Sequence, residues 1–144
     1  MPTIRENLEA FLAGRLPAEK LKLVYSDLHG LHGGLDLTIK GDGKVQQVAM
    51  RTSVHPPKDV SAAALRRLVE LLIELEAWTQ KVPTRAPVPD EGTARLTLYA
   101  GDEATTTWEW FNDLGKNKRL VKLKDAMCKA AWDPAKGTFQ AWPL

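Results

Sequence analysis

The 144-residue chain has an ordinary globular composition, with 44% hydrophobic residues, 26% charged residues and a net charge of +2 at pH 7. This length favours a single domain over residues 1–144 with a core of its own. The small net charge argues against nucleic-acid binding by the chain as a whole. One cysteine, Cys128, excludes an internal disulfide and suggests a reducing compartment, and an exported protein without disulfides is equally allowed.

The first residues are charged at Arg5, Glu6 and Glu9, which excludes the apolar core of a secretory signal peptide. No apolar run in the chain approaches the roughly 20 residues that a membrane helix requires. We therefore expect a cytoplasmic protein with no membrane partner and no cofactor.

A short helix is predicted at the N terminus, as an appendage over residues 1–16. Thr3 and Glu6 have the spacing of a capping box. Apolar residues then recur every three or four positions, which is one helical face. Gly14 is a typical helix end. A helix this short must dock on the rest of the domain to be stable.

Three strands are predicted in the first half of the chain. Residues 20–26, 34–40 and 45–51 alternate apolar and polar side chains, as half-buried strands do. Asp42 and Gly43 lie between the last two and have the chemistry of a tight hairpin turn.

An amphipathic helix is predicted over residues 60–78, with Asp59 or Ser61 as its N-cap. Its wide apolar face is typical of a helix that packs on a sheet. A second hairpin follows, with strands at 94–100 and 105–111. Both hairpins favour antiparallel pairing.

A last helix is predicted over residues 118–132, and we expect the apolar tail 133–144 to pack back onto the body. The order helix, three strands, helix, two strands, helix lacks the alternation that builds parallel sheets. The sequence therefore predicts an α+β fold, with an antiparallel sheet of about five strands and helices mainly on one face.

Two irregular stretches are candidate binding loops. The glycine loop, residues 27–34, connects the first two strands. The proline loop, residues 79–92, is long for a compact domain, and such loops are functional or mobile. The candidate binding residues of the two loops are His29, Gly30, Leu31, His32, Gly33, Pro83, Pro87 and Pro89.

No residue pattern selects a reaction. His29 and His32 are three apart, but a metal site needs three or four ligands in fixed geometry, so we assign no metal. Cys128 follows Lys124 by one helical turn, which allows a lowered thiol pKa. No histidine is placed to act as its base, and a small core residue is the favoured interpretation. We predict that the protein is not an enzyme.

Trp108 and Trp110 share one face of a predicted strand. Exposed tryptophans are typical anchors of protein interfaces, so the pair is a candidate binding site. Because Leu96 and Leu98 give the neighbouring strand a matching apolar face, we favour a place in the core, with an exposed patch as the alternative.

The basic last helix offers a second kind of partner. Lys118, Arg119, Lys122 and Lys129 could contact nucleic-acid phosphates. A solvated amphipathic face explains the same charges, and we favour that interpretation.

Residues 21–128 resemble small bacterial domains typified by emfourin-type inhibitors of thermolysin-like metalloproteases. Those domains carry a Gly-Gly-Phe-Ala-Gly type motif after the first strand, then a hairpin, a helix, a loop and a hairpin. The corresponding stretch here is His29-Gly30-Leu31-His32-Gly33. Two glycines match, whereas His29 replaces a glycine and Leu31 the aromatic residue. The resemblance implies a proteinaceous, non-catalytic inhibitor with the glycine loop as a contact.

Taken together, these patterns favour a non-enzymatic module that binds another protein. Metalloprotease inhibition and nucleic-acid binding through the last helix are the alternatives.

Overall fold

A computed structural model describes residues 2–27, 34–50, 57–89 and 91–131, with only the backbone described for residue 34 and residues 47–50. Residues 28–33 of the glycine loop, all three histidines and the predicted C-terminal tail lie outside these ranges. The helices and strands are α1 (Ile4–Leu12), β1 (Leu21–Ser26), β2 (Gly34–Lys40), β3 (Val45–Met50), α2 (Ala62–Glu74), β4 (Thr93–Ala100), β5 (Glu103–Trp110) and α3 (Lys118–Ala131).

The N-terminal helix α1 begins at the predicted capping box. The Thr3 hydroxyl accepts the Glu6 N–H at 3.1 Å, and the Glu6 carboxylate accepts the Thr3 N–H at 3.0 Å. The helix docks on the domain through Leu8, which is fully buried. The buried Asn7 amide donates to the carbonyl of Ala100 in β4 at 2.9 Å.

Helix α2 is capped by Ser61, whose hydroxyl accepts a backbone N–H at 3.1 Å. The helix ends at Glu74, earlier than predicted, because Glu76 adopts the left-handed conformation with φ of 47°. A short 3₁₀ turn, Ala77–Thr79, follows. The predicted helix is thus a helix and a turn separated by Leu75 and Glu76, of which Glu76 has unfavourable backbone geometry.

Both predicted hairpin turns are confirmed. Gly43 and Gly101 have φ of 86° and 65°, a region that costs other residues energy. A Cβ atom added at Gly43 would also clash with the carbonyl oxygen of Val60. Glycine is therefore required at this turn for two independent reasons.

The strands form one sheet in the order β3-β2-β1-β4-β5, and every neighbouring pair is antiparallel. This confirms the predicted α+β class. Strand β1 is central, because the chain crosses over through α2 to pair β4 on its other side. Strands β3 and β5 are the two edges.

One face of the sheet, the covered face, packs against the helices. Its buried side chains join those of the helices in one apolar cluster. Burying each such leucine contributes roughly 1.5–3 kcal/mol. The buried strand residues are Leu21, Leu23, Tyr25, Leu35, Leu37, Ile39, Ala94, Leu96, Leu98 and Ala100.

We call the opposite side of the sheet the open face, since within the described ranges all three α-helices pack on the covered face. Alternate residues of each strand point there. Among the described residues, no helix is long and apolar enough to cross a membrane.

The predicted core placement of Trp108 and Trp110 is wrong. Directly opposite residues of an antiparallel pair share a face, and Leu96 lies opposite Thr107, whereas Trp108 lies opposite Arg95. Both tryptophans therefore point to the open face. They are only half-buried and do not pack against the apolar cluster. The alternation within each strand was correct, but the matching of faces between strands was not.

Candidate functional site

Five side chains from three adjacent strands form a cationic and aromatic surface on the open face. Strand register places Tyr99 opposite Lys22 and Trp108 opposite Arg95, with Trp110 two residues beyond. We call these five residues, Lys22, Arg95, Tyr99, Trp108 and Trp110, the open-face patch.

The two tryptophans of the patch touch each other. Their ring centroids are 4.9 Å apart and the ring planes are perpendicular. Such an edge-to-face pair contributes about 0.5–1.5 kcal/mol beyond the area it buries. The Trp110 indole N–H donates to the carbonyl of Arg85 at 3.1 Å, which fixes its orientation. The pair is therefore a pre-ordered aromatic surface that is still accessible to solvent.

The cations of the patch lie over aromatic rings. The Lys22 ammonium is 4.6 Å from the Tyr99 ring centroid, and the Arg95 guanidinium is 5.7 Å from the Trp108 ring centroid. Among the described residues, neither cation has a carboxylate partner. Their positive charges are therefore available to a ligand.

Lys22 also lies directly opposite Lys40 of β2. Like charges at directly opposite positions destabilise a sheet. Features that oppose folding are typical of functional sites, and an anionic partner bound here would offset the repulsion between the two lysines. Lys40 extends the positive charge of the patch across the sheet.

The proline loop is pinned beside the patch by Arg85. Its guanidinium donates to Asp113 at 2.8 Å and to both carboxylate oxygens of Glu91 at 2.8 and 2.6 Å. These hydrogen bonds from Arg85 lower the pKa of Glu91 to about 2. The Glu91 carboxylate, which is fully enclosed, also accepts the N–H groups of Val88 and Asn112 at 3.2 Å. The loop is thus held by a closed set of charged hydrogen bonds.

This arrangement brings the predicted proline loop next to the predicted tryptophans. Pro87 and Pro89 are exposed, whereas Pro83 is half-buried. The large apolar side chains exposed nearby in the loop are Val82 and Val88, at 46% and 47%. The loop therefore adds apolar surface at the end of the sheet where Trp110 lies.

The base of the predicted glycine loop is closed by Asp27, which is 5% exposed. Its carboxylate accepts the Leu35 N–H at 2.8 Å and the Tyr25 hydroxyl at 2.7 Å, and pairs with the Lys124 ammonium at 3.1 Å. Burial, together with the negative charge of Asp27, raises the pKa of Tyr25. This buried network fixes the two strand ends from which the loop departs.

Strand register places Asp27 at the same end of the sheet as the tryptophans, since Ser26 lies opposite Arg95 and Arg95 opposite Trp108. The anchors of the glycine loop and the proline loop therefore share one end. The loop's own candidate residues lie outside the described ranges, so their contribution stays a prediction.

Cys128 has no activated thiol. Burial raises the pKa of Cys128 to about 12, which outweighs the opposite effect of nearby Lys124. The thiol is protonated at neutral pH and packs against the apolar cluster. A lowered pKa, the alternative left by the sequence, is wrong because the helix buries this residue.

The four basic residues predicted on the last helix do not act together. Lys118, Lys122 and Lys129 are exposed along one stripe of α3, which the exposed Asp125 interrupts. Arg119 instead donates to the Thr79 hydroxyl at 3.1 Å, where it holds the turn after α2. Because α3 packs on the covered face, these lysines do not extend the open-face patch.

Sequence reasoning missed three members of the patch. The face of Arg95 and Tyr99 could be predicted, because alternation along β4 places them opposite to Leu96 and Leu98. What the sequence lacked was the pairing that puts Lys22 and the tryptophans on the same side.

Comparisons with protein-family models, with curated proteins and with solved structures give no match. The resemblance to emfourin-type inhibitors therefore stays a prediction. In the part of the chain that the structure describes, no three His, Cys, Asp or Glu side chains are grouped so that they could hold a metal ion.

Proposed function

We propose that this chain is a non-enzymatic module that binds another protein through the open-face patch. The observation that carries the proposal is the pair Trp108 and Trp110, which lies in mutual contact on a sheet face to which no described helix is packed. Tryptophan and arginine are the residues most enriched among the energetically dominant positions of protein interfaces. Arg95 lies directly beside the pair.

The rigidity of the patch supports this function. Its residues stand on strands, and each ring is held by another ring, by a cation or by a hydrogen bond. A surface whose side chains are ordered before binding loses less conformational entropy when a partner arrives. An aromatic centre with charged side chains around it is also the usual anatomy of an interface.

The buried titratable groups support a role without catalysis. Asp27 is engaged by Tyr25 and Lys124 in a structural network. Cys128 is held protonated by burial. Each of these groups has a partner or an environment that accounts for it by folding alone, and none of them adjoins the open-face patch.

The experiment is affinity capture with the full chain, followed by affinity measurement with the purified partner. Replacing Trp108→Ala should weaken binding by about tenfold or more, since truncating a central interface tryptophan typically costs more than 1–2 kcal/mol. Lys122→Ala, an exposed change on α3, is the matched control and should leave the affinity unchanged. A stoichiometric partner that binds Trp108→Ala as tightly as the unchanged chain overturns the proposal.

Inhibition of a metalloprotease is a second candidate, supported by the buried clamp that fixes Asp27 and Leu35 at the base of the glycine loop. Inhibitory loops gain affinity when their ends are rigidly held. Titration into a thermolysin-like enzyme should then abolish its activity, and Leu31→Asp should restore it. Full activity at excess protein counts decisively against this candidate.

A further inference from the structure

Strand β5 forms an edge of the sheet, and its outer backbone groups can be identified. The Phe111 N–H donates to the carbonyl of Gly92 at 3.0 Å. Hydrogen-bonded pairs alternate along an antiparallel ladder, so this bond sets the phase of β5. The N–H and C=O groups of Ala104, Thr106 and Trp108 therefore point away from β4, toward the free edge.

The end of this edge is already capped, because the Glu109 carboxylate accepts the outward N–H of Trp110 at 2.9 Å. Among the described residues, no backbone group is hydrogen-bonded to the outward side of the stretch from Ala104 to Trp108. This stretch offers three outward N–H groups and three outward carbonyls in regular strand geometry.

Edge strands are usually protected from pairing by lysine, proline or a bulge. Strand β5 has eight residues and contains none of these, and its three threonines and two tryptophans favour strand structure. Such an edge is a template on which another strand can form.

We propose that an extended, acidic segment of the partner protein pairs with β5 as an additional strand. This inference rests on the proposed function and states its binding mode. In a strand added there, alternate side chains would lie on the open face beside Thr106 and Trp108. Arg95, whose guanidinium already reaches over the Trp108 ring, is the nearest cation without a carboxylate partner.

Charge complementarity selects the acidic segment. On the open face, the described residues offer no carboxylate partner to Lys22, Lys40 and Arg95. Among the described strand residues, Asp36 is the only acidic residue on that face. Carboxylates at alternate positions of the added strand would meet this excess of positive charge.

Two other occupants fit less well. A second copy of the chain, paired antiparallel about Thr106, would place Glu103 opposite the second copy's Glu109, and like charges directly opposite each other are unfavourable. A single-stranded nucleic acid would use the rings and cations but would leave the backbone edge unused.

The test uses a display library of random peptides of about ten residues, which spans the common range of strand lengths, selected on the full chain. Selected peptides should alternate Asp or Glu with strand-forming residues. Methylating their backbone nitrogens one at a time should weaken binding at every second position only, because only alternate N–H groups face β5.

The matched protein variants are Thr106→Pro and Thr106→Ser. Proline is tolerated where the N–H faces outward on an edge strand, so the fold should survive, which circular dichroism and thermal unfolding would verify. Thr106→Pro removes a donor that the added strand needs, and should weaken the selected peptides by about tenfold, the effect of about one lost hydrogen bond. Thr106→Ser keeps the donor and should bind as the unchanged chain does.

Each of the following outcomes would overturn one part of the proposal. Peptide binding that Trp108→Ala abolishes but Thr106→Pro leaves intact refutes edge pairing while the proposed function stands. Peptide binding that neither variant affects refutes edge pairing and the use of the open-face patch. If no peptide is selected, edge pairing is refuted, while the proposed function is still decided by affinity capture with Trp108→Ala. Selected peptides without acidic residues refute the charge argument.

A dimer in sedimentation that Thr106→Pro makes monomeric assigns the edge to a second copy. Oligothymidylate or oligouridylate that displaces the peptides and depends on Trp108 assigns the surface to nucleic acid.

Discussion

The two faces of the sheet are built from the same strands and differ in what they contact. Leu98 is 1% exposed on the covered face, and its neighbour Tyr99 is 39% exposed on the open face. The covered face holds mostly aliphatic residues, together with the buried Tyr25, and packs against three helices. The open face holds threonines, lysines and the large aromatics Tyr99, Trp108 and Trp110.

This difference shows that size and hydrophobicity alone do not locate the core. The tryptophans are the largest side chains on β5, yet they lie outside the apolar cluster to which the smaller Leu96 and Leu98 belong. Folding explains the covered face completely. On the open face, folding leaves aromatic rings half-exposed and two lysines opposed, so we attribute its composition to binding.

The largest expected effect is the difference between Leu98→Ala and Trp108→Ala in the free energy of unfolding. Leu98→Ala leaves a cavity and should lower the free energy of unfolding by about 2–5 kcal/mol. Trp108→Ala removes more atoms but only a surface pair, and should lower it by about 1 kcal/mol. Urea unfolding monitored by circular dichroism measures both. If Trp108→Ala is the more destabilising change, the assignment of the two faces is wrong.

The buried ion pair on the covered side should also be costly to break. Asp27→Asn removes a buried carboxylate that accepts from Leu35, Tyr25 and Lys124, and should cost about 3 kcal/mol. Lys20 and Asp102, which pair at 3.0 Å with both side chains largely exposed, provide the matched control. Asp102→Asn should cost less than about 1 kcal/mol. Equal losses in the two variants would show that the Asp27 network is not a structural clamp.

On the open face a substitution should stabilise the protein. Lys40→Thr removes the like charge opposite Lys22 and should raise the free energy of unfolding by about 0.2–1 kcal/mol. The gain should shrink in high salt, which screens the repulsion. Lys81→Thr, at an exposed position outside the sheet, is the control and should show neither effect. A loss of stability in Lys40→Thr would contradict the hypothesis that the opposed pair Lys22 and Lys40 serves binding and not folding.

The smallest effect is local and depends on pH. The pKa of Glu91 lies at about 2 instead of 4.5, because Arg85 donates to its carboxylate. A lowered native pKa means that the unfolded chain binds more protons, so this contribution is complete above about pH 4.5 and is lost as the pH falls toward 2. The NMR shift of the Trp110 indole N–H, which donates to the carbonyl of Arg85, should move with a midpoint near the native pKa of about 2.

Glu91→Gln provides the control for that titration, since glutamine cannot ionise, and the part of the indole shift change that comes from Glu91 should then disappear. A midpoint near 4.5 in the unchanged chain would mean that Arg85 does not hold the loop beside the open-face patch.

Several local features could be predicted because their causes are local. The capping box of Thr3 and Glu6 and the glycine turns at Gly43 and Gly101 depend on a few consecutive residues. The end of α2 could not, because it lies before a left-handed Glu76 whose carbonyl contacts Arg119, 43 positions along the chain. The Arg85 network joins residues up to 28 positions apart and has no local signal.

The sequence by itself determined the elements, their order and the antiparallel class, since alternation, helical periodicity and turn chemistry operate within short windows. Only the tertiary structure decided which face of β5 meets which face of β4. In an antiparallel pair that choice depends on register, and a shift by one residue would send both tryptophans to the opposite side. The two-residue turn at Gly101 and Asp102 sets the register that opposes Trp108 to Arg95. The binding surface that we propose exists because of that one choice.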